Sequence, residues 1–253
     1  MDAAPLLASS DSRPQVTGGR IASRDDWPST LAFRTASGVC TATAIGPRVV
    51  LTAAHCVDDG ATGIVRLNPS DEVGVRCDHH PRYRGGEQGG DISADYALCL
   101  TAGPMPVPTR GSTVVGFEVL ETSAERPGDG AEVVLLGFGC SERSQYGLLN
   151  EGDANVTVRP PRSQYGRNYI ETGLASGAGQ AAVCPGDSGG GAFTSSLSGR
   201  RVFGVNSRVR DGVSWISATS TDDFRAWANG WVEDPRRRVA ICGLVGPQDS
   251  CRR

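Results

Sequence analysis

One serine in the chain lies in a stretch whose composition suits a nucleophile. Ser188 occurs in AAVCPGDSGGGAF, residues 181–193, where three glycines follow it directly and Gly186 precedes it by two positions. Because glycine adopts positive φ and lets the backbone approach another molecule closely, this composition predicts a tight turn that presents Ser188. The same residue types are common in ordinary surface turns, so this stretch alone leaves that alternative open. A nucleophilic serine also needs a base and a group that orients the base.

A histidine and an aspartate upstream supply those two groups. In VVLTAAHCVDD, residues 49–59, an apolar run predicted as a strand ends at His55. In GGDISADYALCL, residues 89–100, Asp95 begins a second apolar run, and a carboxylate carried into the interior needs a strong hydrogen-bond partner such as an imidazole N–H. A serine hydroxyl, a neutral imidazole and a carboxylate that fixes its tautomer are the parts of a proton relay. Each match is weak alone, and their joint presence favours hydrolysis by Ser188.

The composition argues against several other classes of protein. The 253 residues are 38% hydrophobic and 21% charged, with a net charge of -3, which indicates neither disorder nor a nucleic-acid-binding charge field. No window approaches the roughly 18 to 20 consecutive apolar residues that span a bilayer. We therefore expect no nucleic-acid or membrane partner. We also expect the protein to be a monomer.

The cysteines and the start of the chain bear on the compartment. Eight cysteines without a CxxC pattern favour disulfides over a zinc site, and disulfides persist in oxidising compartments. The start, MDAAPLLASSDSRPQ, has neither the basic region nor the apolar stretch of a signal peptide. The protein is then either cytosolic or secreted with its signal already removed, and the cysteines favour secretion.

Short β-rich runs punctuated by Gly, Pro, Asn and Asp recur along the chain and predict an all-β sandwich or barrel. They lie at residues 31–36, 42–54, 96–100, 131–139, 189–195, 201–209 and 213–220. The proline-rich segment 101–112 is predicted to join two β halves.

One helix is predicted near the end of the chain, over residues 220–234. Ser220 or Thr221 would cap its start, and acidic residues occupy its first turn. Three aromatic residues recur at helical spacing and are expected to pack in the core: Phe224, Trp227 and Trp231.

Taken together, LTAAHC, DYALCL and GDSGG resemble the chymotrypsin-like (trypsin-fold) serine endopeptidases, in that family's chain order. The resemblance extends from about Val16 to Trp231. It implies two six-stranded Greek-key β-barrels and a C-terminal α-helix. The protease domain would span residues 16–234, between an N-terminal extension or propeptide, residues 1–15, and a C-terminal extension, residues 235–253, with a disulfide loop.

The resemblance also implies roles for residues near the three motifs. The N–H groups of Gly186 and Ser188 would form the oxyanion hole, the pair of amides that binds the negative oxygen of the tetrahedral intermediate. Ser207 in GVNSRV matches a serine that supports the catalytic aspartate, although an ordinary polar strand residue is an equal alternative.

A zymogen mechanism is implied by VTGGRIASRDDWPSTLAF, which resembles the mature start of the family. Val16 would become a free ammonium that pairs with Asp187 and orders the oxyanion loop. The preceding residues, SRPQ, lack the usual final Arg or Lys, so an activating protease other than a tryptic one is expected. A chain that keeps residues 1–15 is predicted to be a zymogen.

The resemblance implies a disulfide between Cys40 and Cys56 that anchors His55. Three further pairs are predicted: Cys140–Cys184, Cys77–Cys99 and Cys242–Cys251. Sequence alone does not fix disulfide connectivity.

The primary specificity pocket, by resemblance, has Ala182 at its floor, where trypsin-like members carry aspartate. Gly212 and Val209 match its walls, next to Ser207. An uncharged floor predicts a small or medium uncharged P1 residue, the substrate residue whose carbonyl is attacked.

The sequence leaves two other functions open. A catalytically silent protease-fold binding protein would require a blocked cleft, because no triad member is missing. A serine esterase with Gly-x-Ser-x-Gly is disfavoured because His55 and Asp95 both precede Ser188. No cofactor or metal is implied, since LNPSDEVG, residues 67–74, offers only two acidic side chains and is expected to be a solvated loop.

Overall fold

The computed structural model of the chain describes residues 18–84, 90–139, 147–173, 180–194, 199–244 and 251. It contains fifteen strands, one 3-10 helix at Ala54–Cys56 and one α-helix, α1, at Asp222–Glu233 in this part of the chain. The strands are β1 (Arg20–Ile21), β2 (Thr30–Thr35), β3 (Gly38–Gly46), β4 (Val49–Thr52), β5 (Thr62–Arg66), β6 (Glu72–His79), β7 (Ala97–Thr101), β8 (Thr109–Arg110), β9 (Thr113–Val114), β10 (Glu132–Gly137), β11 (Asn150–Val158), β12 (Tyr169–Thr172), β13 (Gly191–Thr194), β14 (Arg201–Arg210) and β15 (Val213–Ala218).

The first barrel closes in the order β2-β3-β4-β7-β6-β5, with antiparallel neighbours. Its strands contain many Val, Leu, Ile and Thr residues, and Leu51 on β4 lies opposite Leu98 on β7. Both are fully buried, together with Phe33 and Val65. Such burial stabilises each large aliphatic side chain by roughly 1.5 to 3 kcal/mol. This core holds β4 and β7 side by side, and these are the strands that lead into His55 and out of Asp95.

The second barrel is formed by β10, β13, β14, β15, β12 and β11, and the β11–β12 pairing closes it. Its separate core packs Leu135, Phe203 and Ile216 with Ile170. The first strand of the described chain, β1, pairs with β11 on the outside of this barrel. The expected pair of six-stranded barrels with a C-terminal helix is therefore confirmed.

The helix α1 begins as predicted, because the Thr221 side chain accepts a hydrogen bond from Phe224 N at its first turn. Of the three aromatic residues predicted to pack in the core, Phe224 and Trp231 are buried, and Trp227 is partly buried against the core. The Phe224 ring lies 4.8 Å from the ring of Tyr96, the residue after Asp95, and Tyr96 Oη donates to Ala218 O at 2.6 Å. Packing of the helix therefore fixes the segment that carries Asp95.

The chain after the helix returns to the first barrel. Cys242 N donates to Ile45 O at 2.8 Å, and Leu120 N donates to Cys242 O at 2.9 Å. A disulfide joins Cys242 to Cys251, as predicted. This terminal segment thus contacts both β3 and the connection between the barrels.

Of the other predicted disulfides, Cys77–Cys99 is confirmed and joins directly opposite residues of β6 and β7. Cys184 is also disulfide-bonded, and its predicted partner, Cys140, lies outside the described residues. No helix in the described part of the chain is both long and apolar enough to cross a membrane.

Candidate active site

His55 lies just after the end of β4, a strand of the first barrel. It belongs to the 3-10 turn Ala54–Cys56, which follows β4 after one residue. Its Nδ1 is 2.7 Å from Asp95 Oδ2, and its backbone N donates to Asp95 Oδ1 at 2.9 Å. Both carboxylate oxygens are thus bound by one residue, which fixes the direction of the imidazole and leaves its Nε2 without a hydrogen bond in the described structure.

The two partners differ strongly in solvent access. The side chain of Asp95 is fully buried, whereas that of His55 is 28% exposed. A buried carboxylate needs strong hydrogen-bond partners, and His55 contacts both of its oxygens. The exposed edge of His55 is the edge that a substrate can reach.

A disulfide holds the far side of this turn. Cys56 is joined to Cys40 on β3, as predicted. The hydroxyl of Thr35 also donates to Cys56 O at 2.8 Å. The residue after His55 is therefore fixed to both β2 and β3.

The structure brings Ser207 to Asp95, as the sequence resemblance implies. Ser207 Oγ donates to Asp95 Oδ2 at 2.5 Å. Tyr169 on β12 extends this network, because its hydroxyl lies 3.1 Å from Ser207 Oγ and donates to Ile92 O at 2.9 Å. Sequence reasoning missed Tyr169, since it lies far from every motif and only the second barrel brings it to Ser207.

The turn that carries Ser188 is bonded to both barrels. Ser188 O accepts from Thr41 N at 2.8 Å on β3, and lies 3.7 Å from Cys56 Sγ, the neighbour of His55. On the other side, Gly189 N donates to Asn206 O at 2.8 Å. These contacts place Ser188 at the junction of the barrels, beside the turn of His55.

The Ser188 hydroxyl is partly exposed and makes no hydrogen bond within the described residues. Gly189 allows this position because a Cβ there would collide with Thr52 Oγ1 and Thr41 O, and its φ is +82°. The predicted role of glycine in presenting the serine therefore has a specific structural basis at this residue.

Two backbone donors flank Asp187. The N–H groups of Gly186 and Ser188 donate to no acceptor among the described residues, whereas Asp187 N donates to Cys184 O at 2.9 Å. Gly186 has φ +97°, and its carbonyl accepts from Thr41 Oγ1 at 2.9 Å. Both residues are partly exposed, so this pair of N–H groups is available to bind an anion.

Asp187 is fully buried beneath this turn. Its carboxylate accepts from Gly139 N at 2.8 Å and from Cys184 N at 2.9 Å. A Cβ on Gly137 or Gly139 would collide with Asp187, so glycine at both positions makes room for the carboxyl group. Burial raises the pKa of Asp187 to about 7 in spite of these two amides. It has no cationic partner among the described residues.

The predicted activation residue, Val16, lies outside the described residues. Gly18 is the first residue described, and its α-carbon packs so closely on Gln180 O and Ala181 that a side chain would not fit. Gly18 is thus held beside the segment that leads to Ser188.

Of the residues predicted to line the primary specificity pocket, Ala182 is buried, and Val209 is 38% exposed near the end of β14. Gly212 lies at the tip of the β14–β15 hairpin in a two-residue turn with Asp211, where both residues have positive φ. Ser214 on β15 was missed by sequence reasoning, and its Oγ accepts from Val183 N at 3.0 Å, next to Ala182.

One cluster has the residue types of a metal site. The ligand atoms of Cys40, His55 and Cys56 lie within 4.8 Å of one another. The two sulfurs are bonded to each other, however, and a disulfide lacks the thiolate that binds metals. Of residues 67–74, which were expected to be a solvated loop, residues 72–74 belong instead to β6, where Glu72 pairs with Arg66 at 3.0 Å.

A comparison with protein families agrees with this geometry. The family model described as Trypsin matches residues 16–227 of the chain. The match includes His55, Asp95 and Ser188, and it ends within α1.

Proposed function

The chain belongs to the trypsin family of serine proteases, and on that premise we propose that it is a serine endopeptidase with His55, Asp95 and Ser188 as its catalytic triad. The observation that carries this proposal is the contact of His55 Nδ1 with the buried Asp95 carboxylate, beside an unbonded Ser188 hydroxyl. The hydroxyl has no competing partner in the described structure, and the imidazole has its outer nitrogen free.

The reaction follows from these positions. Ser188 Oγ attacks the peptide carbonyl while His55 Nε2 takes the hydroxyl proton, and the negative charge of Asp95 stabilises the imidazolium that forms. The tetrahedral intermediate collapses as His55 returns the proton to the leaving amine, which leaves an acyl-enzyme. Water then attacks the ester by the same two proton transfers and releases the carboxylic acid and Ser188.

The unpaired N–H groups of Gly186 and Ser188 are proposed as the oxyanion hole. The oxygen becomes negative only after attack, so donors directed at it stabilise the transition state more than the substrate. Loss of one such donor typically costs about 3 to 4 kcal/mol.

A free strand edge next to Ser188 supports an extended peptide as substrate. β14 exchanges backbone bonds with the Ser188 turn only as far as Asn206. From Ser207 to Arg210 its backbone makes no bond on that side in the described structure, and β15 covers the other side. A substrate strand added antiparallel to this edge would bring its scissile bond to Ser188.

The buried Asp187 supports activation by proteolysis before Val16. A buried carboxylate without a cationic partner is costly, and a new ammonium group would supply one. Gly18, fixed against Gln180 and Ala181, leaves two residues to Val16, which extend by up to about 7 Å. The residues SRPQ before Val16 favour an activating protease that does not require Arg or Lys at the cleavage site.

The buried, uncharged side chain of Ala182 favours a small or medium uncharged P1 residue, and Ser214 lies beside the next residue, Val183. The disulfides favour a secreted protein that acts on proteins or peptides.

Labelling with a fluorophosphonate tests the proposal. The chain is treated with candidate activating proteases, its new N-terminus is read by mass spectrometry, and the labelled residue is mapped. We expect label on Ser188 in the form that begins at Val16, cleavage of peptide substrates by that form, and loss of both in Ser188→Ala. Label on another residue, or label on Ser188 without any peptide cleavage, would reject the endopeptidase in favour of another hydrolase or a silent fold.

A further inference from the structure

Arg208 lies directly beside the proposed triad and has no role in the mechanism above. It follows Ser207 on β14 and is paired across the sheet with Trp215 on β15. The chain therefore places a cation one residue after the serine that binds Asp95, on the free edge of β14.

The surroundings of Arg208 are aromatic and polar but contain no ion-pair partner. Its guanidinium lies close enough to the Tyr83 and Tyr169 hydroxyls and to Asp95 to interact with them electrostatically. Its Nε is buried without an acceptor, and no carboxylate lies within 4.0 Å of it in the described structure. The guanidinium therefore has at least one donor, Nε, that no residue of the described structure uses.

The cation stays charged in this position. Burial alone lowers the pKa of Arg208, but the nearby Tyr169 and Asp95 raise it by more, so its pKa lies above the ordinary value. Since Asp95 is fully enclosed by His55 and Ser207, it is not available to neutralise Arg208 directly. A half-buried cation with an unsatisfied donor gains most from a second carboxylate.

The position of Arg208 along the strand specifies where that carboxylate would come from. In an antiparallel pair, directly opposite residues project their side chains from the same face. A substrate strand that places P1 opposite Ser207 places the preceding residue, P2, opposite Arg208. We propose that Arg208 forms a subsite for an acidic P2 side chain, aspartate or glutamate, an inference that rests on the endopeptidase function proposed above.

Other charged residues near this edge are already paired or exposed. Arg210, two residues further along β14, is largely exposed and lies 3.4 Å from Asp211. Arg82 pairs with Asp223 at 3.4 Å. Arg208 is therefore the residue on this strand edge whose charge is both partly shielded from solvent and without a carboxylate, within the described residues.

The test compares peptide p-nitroanilides that differ only at P2, as Glu, Gln or Lys, with P1 fixed at the best residue from a P1 profile. The Glu and Gln side chains have the same shape, so their ratio of kcat/KM reports the charge. The activated protein should cleave the Glu peptide about tenfold better than the Gln peptide, and the Lys peptide least. High salt should reduce the preference.

Substitution of Arg208 then shows whether this residue causes the preference for Glu at P2. Arg208→Gln should bring the Glu-to-Gln ratio close to one, and Arg208→Glu should favour the Lys peptide. Arg210→Gln is the matched control and should keep the original ratio. Any effect of Arg208 on His55 or Asp95 acts on both peptides and cancels in the ratio.

The outcomes separate this inference from the proposed function. A ratio near one in the unsubstituted protein, or a ratio of ten that survives in Arg208→Gln, overturns the P2 subsite while peptide cleavage still supports the endopeptidase. Fluorophosphonate labelling of Ser188 without cleavage of any P2 peptide counts against both. If Arg208→Gln does not fold, Arg208→Lys should retain a smaller preference for Glu, and an unchanged ratio there contradicts recognition by the guanidinium.

Discussion

Ser207 donates a hydrogen bond to Asp95 at 2.5 Å, on the same carboxylate oxygen, Oδ2, that binds His55 Nδ1 at 2.7 Å. One oxygen thus joins the second barrel to the histidine of the first. The orientation of His55 depends on a strand that lies more than a hundred residues away in sequence.

Loss of the Ser207 hydroxyl should weaken the proposed triad without removing a member of it. In Ser207→Ala we expect kcat to fall about tenfold, because Asp95 loses one of its three hydrogen bonds and holds His55 less firmly. Asp95→Asn should lower kcat about 10⁴-fold, since an amide favours the wrong imidazole tautomer. Steady-state kinetics on one peptide measures both, and Ser112→Ala, at an exposed hydroxyl, serves as the control. Equal losses in Ser207→Ala and Asp95→Asn would contradict a supporting role for Ser207.

Gly186→Ala should damage the oxyanion hole. A Cβ at residue 186 would lie 2.7 Å from Gly139 Cα, and the φ of +97° is unfavourable for a side chain. We expect kcat to fall about 100-fold and the free energy of unfolding to fall by about 1 to 3 kcal/mol. Gly103→Ala is the matched control, because its Cβ would meet no atom within 4 Å and its φ is ordinary. Full activity in Gly186→Ala would argue against a role for this amide.

The buried Asp187 should make the unprocessed chain less stable as pH rises. Its pKa of about 7 in the folded chain exceeds that of an unfolded aspartate, about 4, so the folded state binds its proton more tightly. The resulting contribution to the free energy of unfolding is full below pH 4 and is lost as pH rises to 7, by about 4 kcal/mol in total.

Urea unfolding from pH 4 to 8 measures this effect on a chain that keeps residues 1–15. Asp187→Asn removes the titration, so the difference in unfolding free energy between the two chains should change across this pH range. A chain processed to Val16 should show a smaller change, because its ammonium pairs with the ionised carboxyl. Parallel curves for the unprocessed chain and Asp187→Asn would show that Asp187 does not titrate there.

The disulfide beside His55 should matter for activity as well as stability. Replacement of Cys40 and Cys56 by alanine should lower the free energy of unfolding by about 2 to 4 kcal/mol and also lower kcat, since the bond holds the turn of His55. Replacement of Cys242 and Cys251 removes a disulfide far from the triad in sequence and should leave kcat unchanged. Thermal unfolding and kinetics on both double variants make the comparison. Equal effects on kcat would contradict a local role for Cys40–Cys56.

The sequence predicted the parts of the site that chemistry restricts to particular residue types. Few side chains can serve as nucleophile, base or orienting carboxylate, so His55, Asp95 and Ser188 stand out within short motifs. Thr41 and Tyr169 do not, because their hydroxyls act through contacts between distant strands. No local pattern marks a hydroxyl that meets its partner only after both barrels have closed.

Strands were likewise predicted where the sequence has a local apolar pattern and missed where it has none. Apolar runs predicted β2, β4, β7, β10, β13, β14 and β15, whereas β11 was missed because NEGDANVTV contains glycine and several polar residues. Its buried positions alternate with exposed ones, and pairing with β10 and β12 stabilises it. Asp211 and Gly212 form a two-residue hairpin turn in the structure, and Asp-Gly is a residue pair that such turns favour.

The most direct test of Ser188 as the nucleophile is the pre-steady-state burst of p-nitrophenol from a p-nitrophenyl ester. The chain processed to Val16 should release one equivalent of p-nitrophenol per active site, with the acyl group mapped to Ser188 by mass spectrometry. Ser188→Ala and His55→Ala should show no burst while keeping the fold, as judged by circular dichroism. A burst of equal size in Ser188→Ala, or an acyl group found on another residue, would contradict the proposed nucleophile and its proton relay.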